Sequence, residues 1–176
     1  MLLSTVLPIN AEEDLDFNNF PHTIEGPEVN IIKDGELRTF VIEMLRAESK
    51  ISFPKSSNNR YLVLQFRYQS KFLSFSINLV DSNNVNRTIV ASNSRSTVKI
   101  SKEDASIPLV LSSNTWQIVK IDLEDVLKRC FGTSFVESKF ITVEGITRLS
   151  KIYFEGEDYS DAQLPKFLRV VGNAII

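Results

Sequence analysis

Leu73, Phe75, Ile77 and Leu79 alternate with Ser74, Ser76 and Asn78. A period of two turns one side of an extended segment to a core and leaves the other in water. Phe72 falls on the polar side. Asp81-Ser82-Asn83-Asn84 follows, a run of residues that hydrogen-bond their own backbone and tolerate left-handed geometry. Val85 to Ala91 then returns as the hairpin partner. A slip of one residue would turn every apolar side chain outward, so the register is predicted to be firm.

Shorter runs extend this pattern. Phe40-Val41-Ile42, Ile51-Ser52-Phe53 (closed by Pro54), Tyr61 to Phe66, Val98-Lys99-Ile100, Leu109-Val110-Leu111, Trp116 to Ile121, Phe140 to Val143 and Arg148 to Phe154 all read as strands. One helix is predicted at about residues 122–131. Asp122 is its N-cap, Leu123, Val126, Leu127, Cys130 and Phe131 form an apolar stripe, and Gly132 takes the left-handed C-terminal position. The fold class is therefore all-β, a mainly antiparallel, jelly-roll-like β-sandwich with one α-helix. Its expected core holds Leu73, Phe75, Ile77, Leu79, Val119, Ile121, Val126, Leu127, Ile152 and Phe154. We expect residues 1–36 to form an acidic irregular arm along the outside, 37–171 a single domain, and 172–176 a short tail. The opening MLLSTVLPIN, broken by Pro8, is too short to span a membrane and reads as an N-terminal strand or docking segment.

Net charge is −2 over 176 residues, but its distribution is uneven. Residues 1–36 carry −7, residues 37–102 carry +8, and residues 103–176 carry −3. A basic belt of that kind favours an acidic polymer or surface, and an acidic arm can shield it. Chemistry has little to draw on. Cys130 is the only cysteine and His22 the only histidine, which excludes an internal disulfide and an ordinary zinc cluster. Cys130 sits on the apolar stripe, where a free thiol packs as a small hydrophobe. His22 lies in the arm with no Ser-His-acid set around it. Glu155, Glu157, Asp158 and Asp161 lack the spacing of an EF-hand loop and read as solvated turn carboxylates, with Ser160 capping a short helical turn stopped at Pro165. No phosphate-binding glycine motif occurs. No catalytic, cofactor-binding or metal-binding residue is assigned, and neither nucleic acid, membrane nor small-molecule substrate is an expected partner.

The stretch Phe131 to Pro165 holds a more specific signal. Phe131-Gly132-Thr133, Phe135 and Glu137 form a [YF]-G-T-x-[YF]-x-E turn after the helix. Ile152-Tyr153-Phe154 ends a basic strand, and Tyr159-Ser160 with Leu164-Pro165 forms a Y-S-x-x-x-L-P turn. Upstream, Phe75 to Asp81, Asn84-Val85, Arg87 and Ala91-Ser92 follow an F-x-x-x-x-V-x-D-x-x-N-V-x-R-x-x-x-A-S hairpin, and Pro108-Leu109, Trp116 and Ile121-Asp122-Leu123 keep the order. This set resembles the family of cilia- and flagella-associated protein twenty over about Leu37 to Pro165. The resemblance implies a jelly-roll-like sandwich and a non-catalytic structural role in cilia, flagella or centrioles. The implied partners are the tubulin lattice of doublet microtubules and neighbouring inner-junction or centriolar proteins. The implied location is the cytoskeleton, in the axoneme or basal body. Three departures mark the chain as divergent: an acidic arm replaces the family's apolar start, the basic R-x-R-R strand is thinned to Arg148-Leu149-Ser150-Lys151, and the overall charge is slightly acidic.

Arg87 matches the hairpin arginine of the family, and Arg148 and Lys151 occupy its basic strand. These three, with Arg95 and Lys99 as flanking charges, are the expected partner-binding residues, and reversal of Arg87 and Arg148 is expected to leave the fold intact. In an ideal strand positions 148 and 151 face opposite ways, so they share a face only if a bulge intervenes. The alternative function is a carbohydrate-binding sandwich, which requires two or more coplanar exposed aromatics. Trp116 and Phe72 are its candidates.

Overall fold

The computed structural model describes residues 1–8, 14–112 and 114–169. The strands are β1 (Leu3–Leu7), β2 (Thr23–Glu25), β3 (Val29–Lys33), β4 (Phe40–Met44), β5 (Lys50–Ser57), β6 (Tyr61–Asp81), β7 (Asn86–Ser92), β8 (Lys99–Ile100), β9 (Asp104–Pro108), β10 (Trp116–Asp122) and β11 (Phe135–Glu155). The helix α1 (Leu123–Phe131) lies between the last two.

Two long strands, β6 and β11, run antiparallel along each other and form the spine. The far end of β6 pairs with β7, and the order continues to β9 and β8. Its near end pairs with β10. The opposite edge of β11 takes β5, then β4, then β1 along its length. All pairs are antiparallel except β7 with β9. The spine is not straight. Phe66 and Phe75 both lie on β6, yet their ring centroids are 4.9 Å apart. Nine residues of straight strand would separate them by roughly 30 Å. The bend sits where Leu73 pairs with Gly145 and Tyr68 with Thr147, so residues 69–72 of β6 stand against Ile146 alone. Both strands turn there and fold the sheet over the main core, the sandwich-like arrangement expected when strands switch sheets at a bend, while Val63, Tyr153, Leu164 and Leu168 form a smaller cluster apart from it.

The predicted hairpin has its predicted register. Ser74 pairs with Ser92 and each step to Val80 with Asn86 is regular. Asp81 Oδ1 accepts from the amides of Asn83 and Val85 at 2.9 and 3.0 Å, and Asn84 is left-handed at φ 58°. Leu73, Phe75, Ile77 and Leu79 are all buried in the main core, together with Ile121, Leu127, Ile152 and Phe154. Val119 and Val126 are only half-buried and pack on its rim. The helix also follows its signals: the Asp122 carboxylate accepts from the Asp125 amide at 3.1 Å, and Gly132 is left-handed at φ 69°.

Four expectations change. Phe140 to Val143 and Arg148 to Phe154 are one strand, because the bend at Gly145 does not break the ladder. Pro54 does not close its strand. It pairs with Phe140 beside a register shift at Ser138, the kind of irregular position where a missing N–H is tolerated. Leu109 to Leu111 is not a strand, and Asp104–Pro108 takes the place beside β7. The described part of residues 1–36 is not an irregular arm but supplies β1, β2 and β3 to the sheet, with Phe20 stacked 6.0 Å from Phe53. Their prolines and acids hide short strands whose apolar residues close the core edge. The tail at 172–176 lies outside the described residues.

Candidate partner-binding surface

Arg87 stands in β7 beside the Asp81 turn. Its guanidinium meets the Asp81 carboxylate at 2.8 Å, donates to the Lys102 carbonyl, and stacks 4.3 Å from the Phe131 ring centroid. It is 9% exposed and Asp81 is 1% exposed, so the family-matched arginine is buried, not on the surface as expected. Burial by itself would raise the Asp81 pKa, but the Val85 amide, the Arg87 guanidinium and the Asn83 amide outweigh it and hold the carboxyl below its usual range. The interaction ties hairpin, β9 approach and helix together.

Arg148 and Lys151 do share a face, because Ser150 bulges out of the β6 ladder: Arg148 pairs with Arg67, Leu149 with Phe66, and Lys151 with Gln65. Neither is a free surface cation. Arg148 reaches the buried Asp34 at 2.9 Å and Glu43 at 2.8 Å. Lys151 is buried and donates to the Arg169 carbonyl. Burial lowers its pKa to about 8, with only a partial offset from Asp161. The unfolded chain therefore holds this proton more tightly from about pH 8 up to the ordinary lysine value of ~10.4, and stability is predicted to rise with pH through that window. Thermal unfolding of the wild type and Lys151→Met across this range should show the rise flattened in the variant.

The acidic N-terminal segment accounts for much of this quenching. Glu28 pairs with Arg46 at 2.6 Å, Asp34 with Arg148, and Glu36 with Arg67. Other acids complete the pattern, Asp122 on Arg60 and Glu144 on Lys50. The exposed pairs add little stability, and with Asp81 on Arg87 they engage five of the eleven bases of the belt. Asp34, Glu36, Arg67, Tyr68, Asn114 and Arg148 line an open cleft of about 490 Å³ of mixed sign. Within residues 37–102, Arg38, Lys55, Lys71, Arg95, Lys99 and Lys102 show no ion pair among the described residues. Arg95, Lys99 and Lys102 are exposed and close in sequence. Two of the five expected partner residues thus lie on open surface. Lys102 was not singled out, although its place three residues beyond Lys99, past a short strand, was visible.

The remaining candidates behave as structural groups. The Cys130 thiol is half-buried and burial pushes its pKa up. His22 Nδ1 lies 3.0 Å from the Phe20 carbonyl, with its ring 5.0 Å from those of Phe17 and Phe20. Glu155, expected in a solvated loop, is fully buried and pairs with Lys120 at 2.8 Å, while the exposed Asp158 holds the same ammonium at 2.6 Å. Ser160 stands at the N-cap of its turn, where the Gln163 side chain accepts from its amide at 2.8 Å. No group of three or more possible metal ligands occurs among the described residues. No helix among them is long and apolar enough to cross a membrane. Trp116 is 1% exposed and Phe72 half-buried, leaving Phe140 as the one aromatic among the exposed large apolar side chains described. Among the described residues, Trp116 and Phe72 form no exposed aromatic platform of the kind expected for sugar binding.

The chain is a bent all-β sandwich that pairs part of its basic belt with its own acids and leaves Arg95, Lys99 and Lys102 open near the β8 end of the sheet. The chain belongs to the CFA20 domain family, which matches residues 3–172. Similar curated proteins are each named Cilia- and flagella-associated protein 20. The one from Chlamydomonas reinhardtii is 27% identical over 151 residues, 81% of this chain and 79% of that protein. Those from Paramecium tetraurelia and Caenorhabditis elegans are 25% and 24% identical over the same share of this chain, covering 78% and 74% of theirs. Among solved structures, TmCBM61 in complex with beta-1,4-galactotriose aligns with 76% of this chain and 86% of its own at a TM-score of 0.39 and 11% identity, too slight a likeness to argue from.

Proposed function

We propose that this chain is a non-catalytic structural protein of cilia or flagella, bound to axonemal doublet microtubules at the inner junction or to the equivalent wall of a centriole. The observation that carries this reading is a family match across nearly the whole chain, with relatives associated with cilia and flagella in three distant organisms. The cilium-related role follows from those relatives. The microtubule contact is our extension, supported by the open cations Arg95, Lys99 and Lys102, which suit an acidic lattice. A tagged copy in a ciliated cell should decorate axonemes or basal bodies. The purified chain should sediment with microtubules at low salt and release at high salt. Diffuse location together with absent sedimentation would overturn the proposal.

A further inference from the structure

We infer that the open edge of β8 accepts an acidic extended polypeptide as an added strand. The seven-strand path of the sheet ends on β8, with no strand beyond it among the described residues. Lys99 and Ile100 use one edge to pair with Ser106 and Ala105 of β9, so the other edge presents backbone N–H and C=O groups. Ile100 on β8 and Val98 just before it are 51% and 54% exposed. Lys99 and Ile100, adjacent on the strand, face opposite ways. Arg95 and Lys102 flank it, both exposed. The exposed Glu103 and Asp104 belong to the turn that follows, which the Ser101 amide closes by donating to the Asp104 carbonyl at 2.8 Å.

The charge selects the occupant. A second copy of this edge would set Lys99 and its basic neighbours against themselves, and like charges directly opposite destabilise a strand pair. An acidic strand gains instead. Its carboxylates meet Lys99 and Arg95 on one face, and its alternate apolar residues cover Val98 and Ile100 on the other. Backbone bonds supply affinity and the alternation supplies selectivity, as in strand addition generally. This assignment names a contact surface for the proposed axonemal role and rests on that role only for its cellular partner.

The test uses the full chain and a labelled acetyl-(Glu-Val)4-amide peptide, followed by fluorescence anisotropy and amide exchange. Binding is expected to weaken with salt, to slow exchange at residues 96–101, and to fall by about tenfold or more in R95E/K99E. The decisive probe is the same peptide with alternate amides N-methylated, which keeps every charge but cannot form the ladder. It should lose binding on wild-type protein, whatever the variants do. Binding of the methylated peptide within about twofold of the parent, protection at the Arg67–Arg148 cleft instead, or no binding of (Glu-Val)4 would each overturn the assignment. If the peptide binds at β8 while the tagged chain stays away from cilia, the axonemal reading fails and the edge site stands. The converse result sinks the edge site alone.

Discussion

Replacing Gly145 with alanine is expected to cost roughly 3–5 kcal/mol, seen as a large fall in the urea midpoint. Gly145 sits at the corner where the spine turns, with φ at +112°, a conformation side chains other than hydrogen rarely adopt. A Cβ there would stand 2.2 Å from the Phe72 carbonyl oxygen and 3.1 Å from Leu73 Cα. Both are backbone atoms, and neither can swing aside. The Gly145 amide also donates to the Ser49 carbonyl at 3.0 Å, so the corner cannot relax without losing that bond. Gly35 is the control: nothing lies within 4 Å of its would-be Cβ. Gly35→Ala should change stability by no more than about 0.5 kcal/mol. Equal effects at both glycines would refute the strained-corner account.

Arg87→Ala is expected to destabilise by about 3–5 kcal/mol, because it leaves the Asp81 carboxylate buried without its counter-charge. The loss of the stack on Phe131 adds to this. Asp81→Asn combined with Arg87→Met should recover a good part of the loss: the amide oxygen can still accept from Asn83 and Val85, while no charge remains stranded. Denaturant unfolding of Asp81→Asn, Arg87→Met and the double variant forms a cycle that isolates the pair. The native carboxylate is held below its ordinary pKa, so its contribution is present above about pH 4, the unfolded value, and fades as pH falls through the folded one. Arg87→Ala should therefore lose more against wild type at neutral pH than under acid. A single-variant loss under about 0.5 kcal/mol would instead return Arg87 to the surface role its motif first implied.

Local patterns were legible because their physics is local. The Leu73–Leu79 alternation fixed a strand face and, through the Asp81–Asn84 turn, a hairpin register. The Asp122 cap, the apolar stripe and Gly132 marked a helix to within a residue. The order of motifs from Phe75 to Pro165 pointed to the family that the comparisons then showed. The candidate site was read less well, since Arg87, Arg148 and Lys151 were placed by motif, and a motif does not say which way its charge faces.

By itself the chain determined its element types, its β class and the identity of its turns, for periodicity and capping act over a few residues. Only the tertiary structure decided which charges remain in water. Asp34 and Arg148 meet across 114 positions, and Glu36 and Arg67 across 31, pairings that no window of sequence contains. The N-terminal segment looked irregular because its strands are short and proline-flanked, and they are defined by the edges they pair with rather than by their own pattern. The corner at Gly145 likewise exists only where two strands bend together. Charge placement and strand edges are properties of apposition, and apposition belongs to the folded chain.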